Sequence, residues 1–145
     1  MILFPLYSGP GRPGPARKFY LGVGVSEYQS PDYPDLIFPA IDAHRLGERL
    51  NQNYGFTKWK ILCDGKASRA AILSSINKDC KQASQADTIV IFFAGHGEYR
   101  SGNSPSAYWI PHDGYTEHNI DIREVLTAIV NSQAKEVILV VDACF

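Results

Sequence analysis

Apolar residues follow two alternating rhythms along this chain. Short runs rich in β-branched and aromatic residues occur at Phe19–Val25 (Phe-Tyr-Leu-Gly-Val-Gly-Val), Trp59–Cys63, Thr88–Ala94 (Thr-Ile-Val-Ile-Phe-Phe-Ala) and Glu136–Asp142, and each predicts a strand. Between them apolar positions recur at helical spacing, with Leu46 and Leu50 inside residues 41–53 and Ile72, Leu73 and Ile76 inside residues 68–83. Tyr54-Gly55 supplies a glycine stop for the first helix, and Ser68 an N-cap for the second. Asp121 followed by Glu124 has the form of a capping box for a third helix through Val125, Leu126 and Ile129. The third and fourth strands are almost continuously apolar, which predicts burial on both faces of a parallel sheet. Strand-helix alternation with right-handed crossovers then gives an α/β fold, an open and mostly parallel sheet with helices on both faces.

The stretch Ser8–Pro15 (Ser-Gly-Pro-Gly-Arg-Pro-Gly-Pro) breaks both rhythms, since proline lacks a donor and glycine carries the largest backbone entropy. Residues 1–16 are therefore expected to be a flexible leader, and residues 17–145 a single domain. With 14 basic and 15 acidic side chains and no basic cluster, neither nucleic acid nor an anionic membrane is an expected partner. The longest apolar run, Val137–Val141, is far short of the roughly 20 residues of a membrane span, and the first residues lack a secretory pattern, so a cytoplasmic location is expected. Cys63, Cys80 and Cys144 are an odd set without a Cys-x-x-Cys pair, which argues against a disulfide framework and a zinc site.

In an open α/β sheet, ligands gather beyond the carboxyl ends of the strands. The third strand ends in Ala94-Gly95-His96-Gly97 and the fourth in Asp142-Ala143-Cys144-Phe145, so a histidine and a cysteine emerge at one edge if these strands are parallel neighbours. They lie 48 residues apart, near the roughly 50 that separate histidine and cysteine in one family of thiol proteases. An imidazole that takes the thiol proton raises the thiolate population, and glycines let backbone N–H groups approach an oxyanion. Alone, His96 is most simply a loop residue and Cys144 an inert thiol after a strand; their joint placement at matching strand ends favours a dyad.

The segments Ile-Phe-Phe-Ala-Gly-His-Gly (91–97) and Val-Val-Asp-Ala-Cys-Phe (140–145) resemble the two active-site blocks of the caspase superfamily, in its metacaspase-like form. Tyr20 to Tyr28 is similar to that family's first strand, which ends in Gly-x-x-x-Tyr, Pro39–Ala43 to its Asp-Ala helix start, and Tyr108–Asp113 to its Tyr-Leu-x-Pro-x-Asp segment. The resemblance implies a cysteine endopeptidase with His96 as general base, Cys144 as nucleophile and Gly97 in the oxyanion hole. It also implies that Asp42 and Asp142 line a substrate pocket, where two carboxylates favour Arg or Lys before the scissile bond. As rivals, Asp42 could cap its helix and Asp142 could simply end a strand.

Three departures accompany the match. Ala94 stands where many metacaspases carry Ser, and the loop of residues 98–109 holds a single carboxylate instead of the acidic cluster of calcium-dependent members, so no metal and no cofactor are expected. The third is that the chain stops one residue after Cys144, which leaves the family's C-terminal strands missing and implies strand pairing with that part or with another chain. A protein or peptide substrate is the expected partner. The competing reading is a non-catalytic interaction module of the same fold. A flavodoxin-like binding domain is disfavoured because Ser26-Glu27-Tyr28, not a Gly-rich phosphate loop, follows the first strand.

Overall fold

The computed structural model describes residues 14–144. Residues 1–13 of the expected leader, and Phe145, lie outside that range; residues 14–17 precede the first strand without regular structure. The central sheet joins β1 (Lys18–Gly24), β2 (Lys58–Cys63), β3 (Thr88–Ala94) and β7 (Glu136–Asp142) in the order β2-β1-β3-β7, all parallel. In register, Gly24 faces both Cys63 and Ala94, and Ala94 faces Asp142, so every strand finishes at the same edge. The chain leaves β1 toward β2 on one side and returns to β3 on the other, which opens a crevice beyond β1 and β3.

Helices cover both faces. Helix α1 (Pro39–Tyr54) packs over Tyr20, Val90 and Phe92, whereas α2 (Arg69–Gln82) and α3 (Ile122–Val130) close over Leu21, Val23, Ile89, Ile91 and Phe93. Consecutive residues of β1 and β3 thus enter different cores, the physical reason for their unbroken apolar runs. Gly24 is a close-approach position: a Cβ there would lie 2.3 Å from the Pro39 carbonyl oxygen, so only glycine lets α1 begin directly over the end of β1. The caps form as the sequence predicts. Ser68 Oγ accepts from Ala71 N–H at 3.2 Å, Asp121 and Glu124 exchange capping-box bonds, and Gly55 ends α1 at φ 71°.

Two expectations need correction. Strand β7 is not covered on both faces, because α1 packs on β1, β2 and β3. Val137 and Leu139 pack into the core beneath α2 and α3, but Ile138 and Val140 on the opposite face remain 41% and 39% exposed. The stretch after His96, read from sequence as a loop, contains a small antiparallel sheet of β4 (Gly97–Arg100), β5 (Ser106–Trp109) and β6 (Ile120–Asp121). Strands of two to four residues are too short to show a period. The sheet is fastened by Trp109, whose ring stacks on Phe93 with centroids 4.4 Å apart.

At the opposite end of the strands, Asp87 is fully buried and connects three segments. Its carboxylate accepts from Arg17 N–H at 2.8 Å, from the Arg17 guanidinium at 2.7 Å and from Ser84 N–H at 2.7 Å, while its carbonyl accepts from Lys135 N–H at 2.9 Å. Hydrogen bonding from Arg17 holds this carboxyl well below the usual carboxylate range. A depressed value favours the charged form in the fold, so its stabilisation is present above the unfolded value of about 3.9 and fades as pH falls below it. Asp87→Asn should therefore cost about 2 kcal/mol near neutral pH. Urea titrations should also show its stability declining less steeply than wild type below about pH 4; parallel declines would remove Asp87 as the source of the acid sensitivity.

Candidate active site

A cleft of about 370 Å³ opens beyond the ends of β3 and β7. Asp42 of α1, His96 after β3, and Asp142 and Cys144 at the end of β7 all line it, and Leu36, Ile37 and Phe38 of the β1–α1 loop supply an apolar wall. Parallel pairing brings His96, Asp142 and Cys144 together: Ala94 is opposite Asp142, and Gly95 N–H donates to the Asp142 carbonyl at 3.3 Å, so the next residues on each strand leave the sheet side by side. Among the described residues no Lys or Arg lines the cleft, and its carboxylates are those of Asp42 and Asp142. Asp42 does not cap α1, whose N-cap is Phe38; it sits in the first turn with its N–H bonded to the Phe38 carbonyl.

His96 is held at three points. Its N–H donates to the Tyr28 hydroxyl at 2.8 Å, its carbonyl accepts from Ile110 N–H at 3.1 Å, and its Nε2 lies 2.7 Å from the Pro34 carbonyl oxygen. A carbonyl only accepts, so this last bond places the ring proton on Nε2 and leaves Nδ1 as the basic nitrogen. The aromatic rings of Tyr28 and Tyr33 lie beside the imidazole, with centroids 4.8 Å and 5.9 Å away. Gly95 has φ 155°, and a Cβ there would stand 2.8 Å from the Tyr28 hydroxyl oxygen, the atom that receives the His96 N–H.

The β1–α1 loop that carries Pro34 is pinned from several sides. Asp64 accepts from the N–H groups of Ser26 and Glu27, at 2.8 Å and 3.0 Å, and Leu36 N–H donates to the Ser26 carbonyl at 2.8 Å. Gly97 opens β4 opposite Trp109, one residue past the cleft lining. The thiols differ in setting. Cys80 is buried and Cys63 half-buried, and burial pushes both thiols up, whereas Cys144 is exposed. Among the described residues no cluster of His, Cys, Asp and Glu has the arrangement of a metal site. No helix among them is long and apolar enough to cross a membrane.

Sequence reasoning reached the four cleft residues but missed the groups that hold them. Pro34 contributes a backbone carbonyl, which has no side-chain signature. Tyr28 stood out only as part of a Gly-x-x-x-Tyr pattern, and the apolar wall of residues 36–38 is too short for any periodicity.

A crevice at the switch point of a parallel α/β sheet thus has His96 and Cys144 in its lining. A family model for the caspase domain matches residues 17–145, and the chain belongs to that family of cysteine peptidases. In shape it is similar to the crystal structure of a protein from Geobacter sulfurreducens, with a TM-score of 0.74 and 19% identity over 88% of this chain and 50% of that one. The chain thus spans about half the length of that neighbour, and the likeness is one of fold. No curated protein matches it in sequence.

The tight fit at Gly95 has a measurable consequence. Gly95→Ala should lower stability by about 2 kcal/mol, because the methyl combines an unfavourable φ with a collision against the Tyr28 hydroxyl. An unchanged thermal midpoint would show that the loop accommodates a side chain.

Proposed function

We propose that the domain is a cysteine endopeptidase of the metacaspase-like branch, cutting peptide bonds after Arg or Lys with His96 and Cys144 as its dyad. The observation that carries the proposal is the convergence of His96, Cys144, Asp42 and Asp142 on one cleft. In the first step the Cys144 thiol gives its proton to His96 Nδ1, and the thiolate attacks the substrate carbonyl carbon. The carbonyl π electrons move to oxygen, where the N–H groups of Gly97 and Cys144 are the proposed donors. Collapse of this intermediate expels the amine, which takes the proton from the imidazolium, and leaves a thioester. Water, deprotonated by His96, then adds to the thioester and releases the acid, returning the proton to the sulfur.

The Pro34 carbonyl supports this sequence, since it holds Nε2–H throughout and stabilises the imidazolium between proton transfers. The acidic cleft supports a basic substrate residue, because a guanidinium or ammonium compensates two carboxylates that would repel an aspartate. The open edge of β7, with Ile138 and Val140 exposed, supports pairing with a further strand that completes the second wall of the cleft. Three free cysteines fit a reducing compartment such as the cytoplasm.

Iodoacetamide should label Cys144 at least about tenfold faster than Cys63 or Cys80 at neutral pH, and His96→Ala should abolish most of that advantage. Equal rates at all three thiols would count against the dyad. For specificity, a longer protein carrying this domain should cleave fluorogenic peptides ending in Arg and spare those ending in Asp, with Asp42→Asn and Asp142→Asn each weakening the Arg peptide by about tenfold or more. A preference for Asp would overturn the pocket assignment.

A further inference from the structure

We infer that Tyr28 is a positioning residue for His96, with its hydroxyl fixing the histidine main chain and its amide fixing the loop that holds the imidazole. The inference rests on the proposed role of His96 as the base. The Tyr28 hydroxyl accepts from His96 N–H at 2.8 Å and donates to the Val25 carbonyl at 3.0 Å, so its oxygen is bonded in both directions between the end of β1 and the residue after β3. Both bonds together require the neutral phenol. Burial pushes this hydroxyl up to about 12, which keeps the proton in place over the range where a thiol protease works.

The other end of the same residue acts on the second anchor. Tyr28 N–H donates to Asp35 Oδ1 at 3.1 Å, and Asp35 directly follows Pro34, whose carbonyl holds His96 Nε2 at 2.7 Å. The ring between these two ends lies beside the imidazole, 4.8 Å away. Moving His96 therefore breaks the Tyr28 hydroxyl bond at its main chain or the Pro34 carbonyl bond at its ring, and Tyr28 bears on both. Gly95 fits the same scheme, since any larger residue would occupy the space of that hydroxyl. Misplacing a catalytic group by about 1 Å is enough to slow its reaction up to about 100-fold.

The test is Cys144 alkylation in the full chain, followed by peptide mapping across pH 5–9 in wild type, Tyr28→Phe, Asp35→Ala and His96→Ala, with thermal midpoints and Cys63 labelling as controls. Tyr28→Phe keeps the ring and removes the oxygen, and it should slow Cys144 by about tenfold while moving the pH of half-maximal rate upward. Asp35→Ala should slow it by about threefold. Neither variant alters Asp42 or Asp142, the carboxylates of the cleft. In a His96→Ala background, Tyr28→Phe should add no further loss, since its effect runs through the imidazole.

A wild-type rate in Tyr28→Phe, or an equal loss in the His96→Ala background, overturns the inference and leaves the dyad standing. If Tyr28→Phe fails to fold, Asp35→Ala at an exposed position decides, and an unchanged rate there overturns it. If His96→Ala alone leaves Cys144 at its wild-type rate, the base assignment fails and this inference with it.

Discussion

The parallel register of β3 with β7 is the constraint on which the site depends. Ala94 pairs with Asp142, so the residues that carry the imidazole and the thiol leave the sheet at the same level. Side chains alternate with a period of two, and a slip of one residue would turn Val137 and Leu139 out of the core and Ile138 and Val140 into it. Three features hold the register. Val137 and Leu139 pack beneath α2 and α3, the Asp87 carbonyl takes the Lys135 N–H where the strand begins, and Gly95 N–H reaches the Asp142 carbonyl where it ends.

The same logic extends to the loops. A histidine after a strand is mobile unless its surroundings restrain it, and here the restraint comes from the β1–α1 loop and the small sheet of β4, β5 and β6. Trp109 stacked on Phe93 joins that sheet to the core, and Ile110 N–H extends the connection to the His96 carbonyl. His96 thus sits on a loop tied to the buried Trp109 through Ile110 and to the end of β1 through the Tyr28 hydroxyl.

Much of this was legible in the sequence, for identifiable reasons. The four long strands announced themselves because β1 and β3 feed two cores at once, and the helices because Ser68, Asp121 and Gly55 carry cap chemistry specific to helix ends. His96 and Cys144 were legible because topology makes strand ends the places to look. The short strands β4 to β6 were not, since a four-residue segment cannot display periodicity. Nor was the exposed face of β7, because its composition matches that of β3 and only the packing of helices distinguishes an edge from a centre. Backbone partners such as the Pro34 carbonyl leave no trace in residue identity.

Asp87 and the cleft occupy opposite ends of one strand, separated by the length of β3, about 20–23 Å at strand rise. What secures the sheet electrostatically is thus remote from the cleft. Exposed side chains of the cleft wall such as Ile37 and Phe38 can therefore change without touching the clamp at the far end of the sheet.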